Sequence, residues 1–200
     1  MQVIYIIMCD GKGTRWNNYK NIKKHFIPIN GEPLLKRTVR LFKEKDPDSK
    51  IIITSHDESY NIEGAIRYEP KHNVLEIDRF TNELIGDNIC FLYGDTYYPE
   101  DSVEKIINEE TEDILFFGNQ KSIVAIKIKD GELFRKHVDN VKDLFLRGKI
   151  NECKGWHVYQ SFQNLEYDKK VIKDKFIVVD ENTIDFNTPI DFESRKKVEE

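Results

Sequence analysis

Val3-Ile4-Tyr5-Ile6-Ile7-Met8-Cys9-Asp10-Gly11-Lys12-Gly13-Thr14-Arg15-Trp16 changes character halfway along its length. Residues 3–8 are an apolar run rich in β-branched side chains, the pattern of a buried strand. The run gives way to a polar turn punctuated by Gly11 and Gly13. Glycine takes dihedral angles that other residues resist and lets a backbone approach a ligand closely. Successive amides in such a turn can surround anionic oxygens. Lys12, Arg15 and, farther on, Lys24 can neutralise phosphate charge, Arg15 through a fixed fork of donors. A tight turn with no ligand accounts for the two glycines equally well, so the phosphate reading needs support from the rest of the chain.

Outward from this stretch the alternation of apolar run, turn and helical spacing recurs. Residues 26–33 read as a short extended piece with a tight turn, after which Pro33 opens a helix. Leu34, Leu35, Thr38, Leu41 and Phe42 keep helical spacing until Pro47 and Asp48 close it. Residues 50–54 form a second strand, 75–85 a helix ending before Gly86, and 88–93 a third core strand running into Gly94-Asp95. A helix follows Pro99, strands cover 114–117 and 123–128, and an amphipathic helix spans 130–146. Segments 153–162 and 176–179 are expected as strands, and a last helix begins near Pro189. This order predicts an α/β fold: a doubly wound, mostly parallel sheet with a small β-containing lobe over its ligand edge. No repeat or linker divides the chain, so residues 1–200 are expected to form a single domain.

Composition narrows the function. Apolar residues are 39% of the chain, and 12 Phe, 9 Tyr and 2 Trp supply bulky core material, which excludes a disordered chain. With 36 acidic against 31 basic residues the net charge is −5, the wrong sign for a protein that coats nucleic acid. A local basic pocket for a small polyanion remains compatible with it. Cys9, Cys90 and Cys153 cannot all pair and lack metal-knuckle spacing, so they read as buried thiols in a reducing compartment. The N-terminal apolar run is too short to span a membrane and lacks a basic start. The expected setting is the cytoplasm, with no nucleic acid or membrane partner and a homodimer left open.

Two familiar phosphate motifs fail. The dinucleotide pattern GxGxxG needs a glycine where Trp16 stands, and a Walker loop needs GxxxxGK with Ser or Thr. The turn nevertheless resembles a known signature. Ile7-Met8-Cys9-Asp10-Gly11-Lys12-Gly13-Thr14-Arg15, followed by Lys24-His25-Phe26-Ile27-Pro28-Ile29-Asn30-Gly31-Glu32-Pro33-Leu34-Leu35, is similar to that of the nucleotidyltransferases that make nucleotide-activated sugars and alcohols. Lys24-His25-Phe26-Ile27-Pro28 is especially similar to the Lys-Gln-Phe-x-Pro of cytidylyltransferases. Phe91-Leu92-Tyr93-Gly94-Asp95 resembles that family's strand ending in a magnesium-binding aspartate. Ile184-Asp185-Phe186-Asn187-Thr188-Pro189-Ile190-Asp191-Phe192 is similar to its Ile-Asn/Asp-Thr-Pro-Glu-Asp-Leu segment.

The resemblance implies the nucleotide-diphospho-sugar transferase fold and an enzyme. The reaction it implies is Mg2+-dependent transfer of a nucleotidyl group from an NTP, CTP favoured, to a phosphorylated sugar, polyol or other small acceptor, with release of pyrophosphate. It places the chain in nucleotide-sugar and cell-surface polysaccharide biosynthesis. It implies that Met8, Cys9, Asp10, Gly11, Lys12, Gly13, Thr14, Arg15 and Lys24 hold the nucleotide. Arg15 and Lys24 would act on phosphates around the reacting phosphorus, and Asp95 and Asn187 would hold Mg2+. In that chemistry both reactants are anions, so alignment and charge neutralisation carry the rate, and the ionised acceptor needs no dedicated base.

Several readings stay open. Asp10 stands where the family usually has alanine, and Trp16 where leucine or methionine is usual. His72 and Asn73, in the loop around residues 69–75, are candidate base readers or ordinary loop residues. Asp185 is a further metal contact or a solvated partner of Lys173 or Lys175. Trp156 and His157 line an acceptor pocket or belong to the core. Lys20 and Lys23 compete with Lys24, Gly94-Asp95 also suits a plain turn, and Thr188-Pro189 suits a capped helix start. The rival functions are guanylyl transfer to molybdopterin, a glycosyltransferase of related fold, and a non-catalytic nucleotide sensor. Asp95-Thr96-Tyr97 lacks the second acid of the glycosyltransferase Asp-x-Asp.

Overall fold

Residues Ile4–Met8 form strand β1, buried from Tyr5 onward. Its pleat sends Tyr5 and Ile7 to one face and Ile6 and Met8 to the other, and each set joins a separate core. Burial on both faces is why the run is continuously apolar rather than alternating. The computed structural model describes residues 2–199.

A small hairpin, β2 (Pro28–Ile29) and β3 (Glu32–Pro33), leads into helix α1 (Leu34–Lys45). Strands β4 (Lys50–Thr54), β5 (Ile66–Tyr68), β6 (Ile89–Tyr93) and β7 (Thr96–Tyr97) precede helix α2 (Glu100–Asn108). Strands β8 (Ile114–Gly118) and β9 (Ile123–Ile128) follow, then helices α3 (Gly131–Leu146) and α4 (Gly155–Phe162). The chain ends in β10 (Phe176–Val178), β11 (Ile184–Asp185) and α5 (Pro189–Glu199). Seven strands make one sheet in the order β10-β8-β9-β6-β1-β4-β5. Its pairings are parallel except those of β9 with β6 and β8. One face packs on Leu35, Val39 and Phe42 of α1 and Val103 and Ile106 of α2. The other packs on Phe134, Val138 and Val141 of α3 and Trp156, Val158 and Tyr159 of α4. At about 1.5–3 kcal/mol for each large apolar side chain buried, these clusters hold the strand ends in place.

The sheet positions a site at one place. From β1 the chain steps outward to β4 and β5, then returns to lay β6 on the other side of β1. That reversal opens a crevice beyond the carboxyl end of β1, where open α/β sheets take their ligands. The glycine turn leaves β1 there, and Gly94-Asp95 leaves β6 there. A separate antiparallel pair, β7 with β11, sets Asp185 opposite Thr96 and brings the C-terminal segment to the same edge.

Two segments depart from the sequence expectation. Residues 153–162, expected as a strand, contain helix α4. Every residue from Gly155 to Gln160 is buried, so the segment lacks the polar face that tells helical from strand periodicity. Residues 75–85, expected as one helix, form two short 3-10 turns, Glu76–Phe80 and Asn82–Leu84, because Thr81 between them takes a left-handed conformation with φ 44°. The short strands β5 and β7 also went unread, being too brief to show a period.

Candidate active site

Trp16, Ile27, Ile29, Leu34, Phe186 and Phe192 form a third apolar cluster that anchors the exit of the glycine turn. The Trp16 ring is buried against Tyr19 and Phe192, and its Nε1 donates to the Ile22 carbonyl at 2.7 Å. The large residue at this position thus fastens the turn to α5. At the entrance, Cys9 N donates to Thr54 O and Gly94 N to Met8 O, both at 3.1 Å. Between these anchors Gly13 takes φ +59°. Among the described residues, the amides of Gly11, Lys12, Gly13, Thr14 and Arg15 donate to no protein acceptor. A turn pinned at both ends with its amides unspent is a ready anion cradle.

Charged side chains converge on this turn. The Lys24 ammonium pairs with the Asp95 carboxylate, both largely buried. Burial raises the Asp95 carboxyl, but the charge and hydrogen bond of Lys24 together with the other positive groups around it, Arg79 among them, hold it below the ordinary carboxylate range. Asp185 lies beside this pair and accepts from Thr96 Oγ1 at 2.5 Å. Burial, reinforced by the negative charge of Asp95, pushes the Asp185 carboxyl up to about 6. Asp185 therefore shares its surroundings with Asp95 rather than standing as a solvated partner of Lys173 or Lys175, and Lys175 pairs with Asp113 instead. Phe186 N donates to Asp95 O at 2.8 Å, locking the two segments together. Asn187 Oδ1 accepts from Arg15 Nη2 at 2.7 Å. Thr188 shares its backbone N–H and hydroxyl with the Asp191 carboxylate, capping α5.

The turn divides a groove into two clefts. One, of about 200 Å3, is lined by Lys12, Arg15, Lys24 and Arg79 together with Asn73 and Asn187. The other, of about 430 Å3, is lined by Trp16, Tyr60, His56, Asp10 and Asn73, with Lys24 on the shared wall. The first is strongly basic. The second has only the edges of the buried Trp16 and Tyr60, with hydrogen-bonding groups several of whose charges are paired internally, Asp10 with His56 and Lys23 with Asp57.

Of the residues singled out in the sequence, Asp10, Gly11, Lys12, Gly13, Thr14, Arg15, Lys24, Asn73 and Asn187 line these clefts, Cys9 lines the second, and Asp95 pairs with Lys24 beneath them. Met8 is buried in the sheet and meets the site through its carbonyl. The Cys9 thiol is held well above its ordinary range by burial and by Asp95, which leaves it un-ionised. Lys20 pairs with Glu193 and Lys23 with Asp57, so of the three lysines Lys24 is the one joined to Asp95. His72 is exposed and lines neither cleft. Trp156 stacks on Phe176 at 5.5 Å in the core beneath α4, and His157 is buried near Tyr167; neither lines a cleft.

Three site groups escaped the sequence reading. The Arg79 guanidinium carbon lies 3.5 Å from where a Gly11 Cβ would stand, an ordinary contact distance, so it packs against the glycine turn and adds a cation to the basic cleft. A charged residue inside the apolar pattern of Leu75, Ile77 and Phe80 was its one signal. His25 is buried with a ring nitrogen 2.7 Å from the Tyr60 hydroxyl, and burial together with Lys24 lowers it to about 3, so it is neutral. His56 contacts Asp10 from the end of β4, a contact no spacing announces.

Oxygen donors from Asp95, Asp185 and Asn187 gather at one edge, and two crowded carboxylates, one with a raised carboxyl, are a donor set that a hard divalent cation suits. Among the described residues no three His, Cys, Asp or Glu side chains are grouped to hold a metal, so this set is two carboxylates and an amide. Among the same residues no helix is long and apolar enough to cross a membrane.

Solved structures of the same architecture span the chain end to end. CTP:phosphocholine cytidylyltransferase from Streptococcus pneumoniae superposes with a TM-score of 0.59 over 100% of both chains at 15% identity. The fold is that of the small nucleotidyltransferases. The inositol-1-phosphate CTP transferase from T. maritima matches with a TM-score of 0.57 over 100% of this chain and 97% of its own at 13% identity. By sequence, a probable glucose-1-phosphate cytidylyltransferase of Bacillus subtilis (strain 168) is 31% identical over 80 residues. That match covers 40% of this chain and 32% of the relative, about a third of its length. No family model matches the chain.

Proposed function

We propose that the protein transfers a nucleotidyl group from an NTP to a phosphorylated small acceptor, a sugar phosphate or polyol phosphate, with release of pyrophosphate. The observation that carries this reading is the glycine turn with unspent amides flanked by Arg15 and Lys24, which contact Asn187 and Asp95. An acceptor phosphate oxygen attacks the α-phosphorus; a P–O bond to the acceptor forms, the α–β bridging P–O bond breaks, and its electron pair leaves with pyrophosphate. The turn amides, Lys12 and Arg79 bind the triphosphate, and Arg15 and Lys24 neutralise charge around the reacting phosphorus. Preorganised donors of this kind are worth about 10²–10³ in rate each. The acceptor is ionised at neutral pH, so no side chain is assigned as a base.

Asp95 and Asn187, with Asp185, would hold Mg2+, which when bound supplies charge neutralisation between carboxylates and phosphates. In this structure Lys24 and Arg15 occupy those same oxygens. Each cation uses one of its several N–H donors on these partners and keeps others for a phosphate, so the two cations are held near the site in the absence of ligand. Two similarities support CTP as the donor, the cytidylyltransferase-like Lys24-His25-Phe26-Ile27-Pro28 and the cytidylyltransferase relatives. The test is pyrophosphate release over CTP, UTP, GTP and ATP with a panel of phosphorylated acceptors, with and without Mg2+. Metal-dependent release with one NTP is expected. Binding without release for every acceptor assigns a sensor instead, and no NTP binding by folded protein refutes the proposal.

A further inference from the structure

Asp10 is tied on three sides. Its Oδ1 accepts from the His56 backbone N–H at 3.0 Å, and its carboxylate receives the His56 ring Nδ1 at 2.8 and 3.0 Å. Its Oδ2 accepts from Asn73 Nδ2 at 2.7 Å, and the same Nδ2 donates to the Asp10 carbonyl. These bonds join the ends of β1, β4 and β5 around the larger cleft. They also fix how Asn73 faces. Both of its N–H groups point at acceptors of Asp10, and rotating the amide by half a turn would press its Oδ1 against a carboxylate and a carbonyl. Asn73 therefore keeps its carbonyl oxygen for the groove, and among the described residues that Oδ1 accepts no hydrogen bond.

The larger cleft is also the side suited to a nucleoside. Of the two clefts, Arg15 and Arg79 line the smaller alone, whereas the larger has the edges of Trp16 and Tyr60 on its wall and its carboxylates, Asp10 and Asp57, already paired with His56 and Lys23. Asn73 lines both clefts, as do Gly11, Lys12, Gly13 and Lys24, and of these it alone carries a side-chain acceptor.

We propose that Asp10 sets the base specificity of the site: by locking the Asn73 amide it leaves an acceptor facing the base, which selects an amino-bearing base over its keto counterpart. This rests on the nucleotidyl-transfer reading and deepens it. A base amino group donates to Asn73 Oδ1, whereas a keto oxygen at that place confronts another acceptor. Placing a mismatched group against a fixed polar atom leaves both without partners, which is why polar discrimination is steep. With alanine at position 10, the residue usual in the enzymes that the motif resembles, only the backbone carbonyl still holds the amide, so turning it to donate to a keto oxygen costs one hydrogen bond in place of two.

Calorimetric titration of the full chain with two matched pairs, CTP against UTP and ATP against ITP, tests this. The wild type should bind the amino member of its preferred pair at least about tenfold more tightly, the scale of one hydrogen-bond mismatch. Asp10→Ala should bring that ratio to within about threefold, chiefly by improving the keto member. Asn73→Ala, which removes the reader itself, should also collapse the ratio and serves if Asp10→Ala does not fold, with thermal unfolding as the check. Equal binding of both members by the wild type, a keto preference, or a ratio unchanged in the variants overturns the assignment. If the folded wild type binds none of the four nucleotides, the nucleotidyl-transfer reading fails and this inference with it; nucleotide binding with unchanged selectivity in the variants defeats this inference alone.

Discussion

Lys24→Ala should destabilise the ligand-free protein, because Lys24 is the counter-ion of a buried carboxylate as well as a candidate phosphate contact. The Lys24 and Asp95 side chains are 12% and 11% exposed, and Asp185 adds a second negative charge to the same enclosure. Removing one partner of a buried ion pair costs about 3–5 kcal/mol, and the slight exposure here favours the lower end, about 3 kcal/mol. For a chain of this size each kcal/mol moves the melting temperature by about 2–4 °C, giving a drop of about 6–12 °C. The assay is thermal unfolding followed by circular dichroism in EDTA, so that no divalent cation replaces the lost ammonium. Asp95→Asn and the double variant complete a mutant cycle. The double variant should be more stable than Lys24→Ala, since neutralising Asp95 removes the orphaned charge. A Lys24→Ala melt within about 2 °C of wild type, or a double variant no better than the single one, would show that the pair does not hold the folded site together.

Arg15 is exposed, and its bond to Asn187 spans the cleft mouth, so Arg15→Ala should lower turnover by about 10²-fold or more while leaving the melting temperature unchanged; steady-state pyrophosphate release beside a melting curve separates the two. Gly94 leaves no room for a side chain, since a Cβ there would stand 2.3 Å from Cys9 Sγ and 2.8 Å from the Met8 carbonyl. Gly94→Ala should therefore cost about 1–3 kcal/mol by overpacking, read from urea unfolding. His25, lowered from 6.5 to about 3, gives a pH dependence of definite sign. Between these values the unfolded chain takes up the proton and the folded chain does not, so its stability is full above about pH 6.5 and falls as pH drops toward 3. His25→Gln should flatten this acid loss by up to about 1.4 kcal/mol per pH unit, and an unchanged slope would refute the assignment.

The strands that build the sheet were legible because each carries its own signal: β1, β4, β6, β8 and β9 are apolar runs buried on both faces, and such runs do not depend on distant partners for their pattern. The glycine turn was legible for the same reason, since its shape is set within a few residues. Helix α4 was not, because burial on every side erased its periodicity.

The sequence by itself determined the parallel α/β core, the turn after β1 and the kinds of charge around it, all properties of short stretches governed by side-chain spacing and backbone sterics. Only the tertiary structure decided which charges meet. Lys24 reaches Asp95 across 71 positions and Arg15 reaches Asn187 across 172, because the return of the chain to β6 and the pairing of β7 with β11 bring those segments to one edge. Asp185, Arg79 and the His56–Asp10–Asn73 cluster entered the site by the same route. Electrostatic and hydrogen-bond partners act through distance in space, and strand order and register, which no local pattern encodes, set that distance.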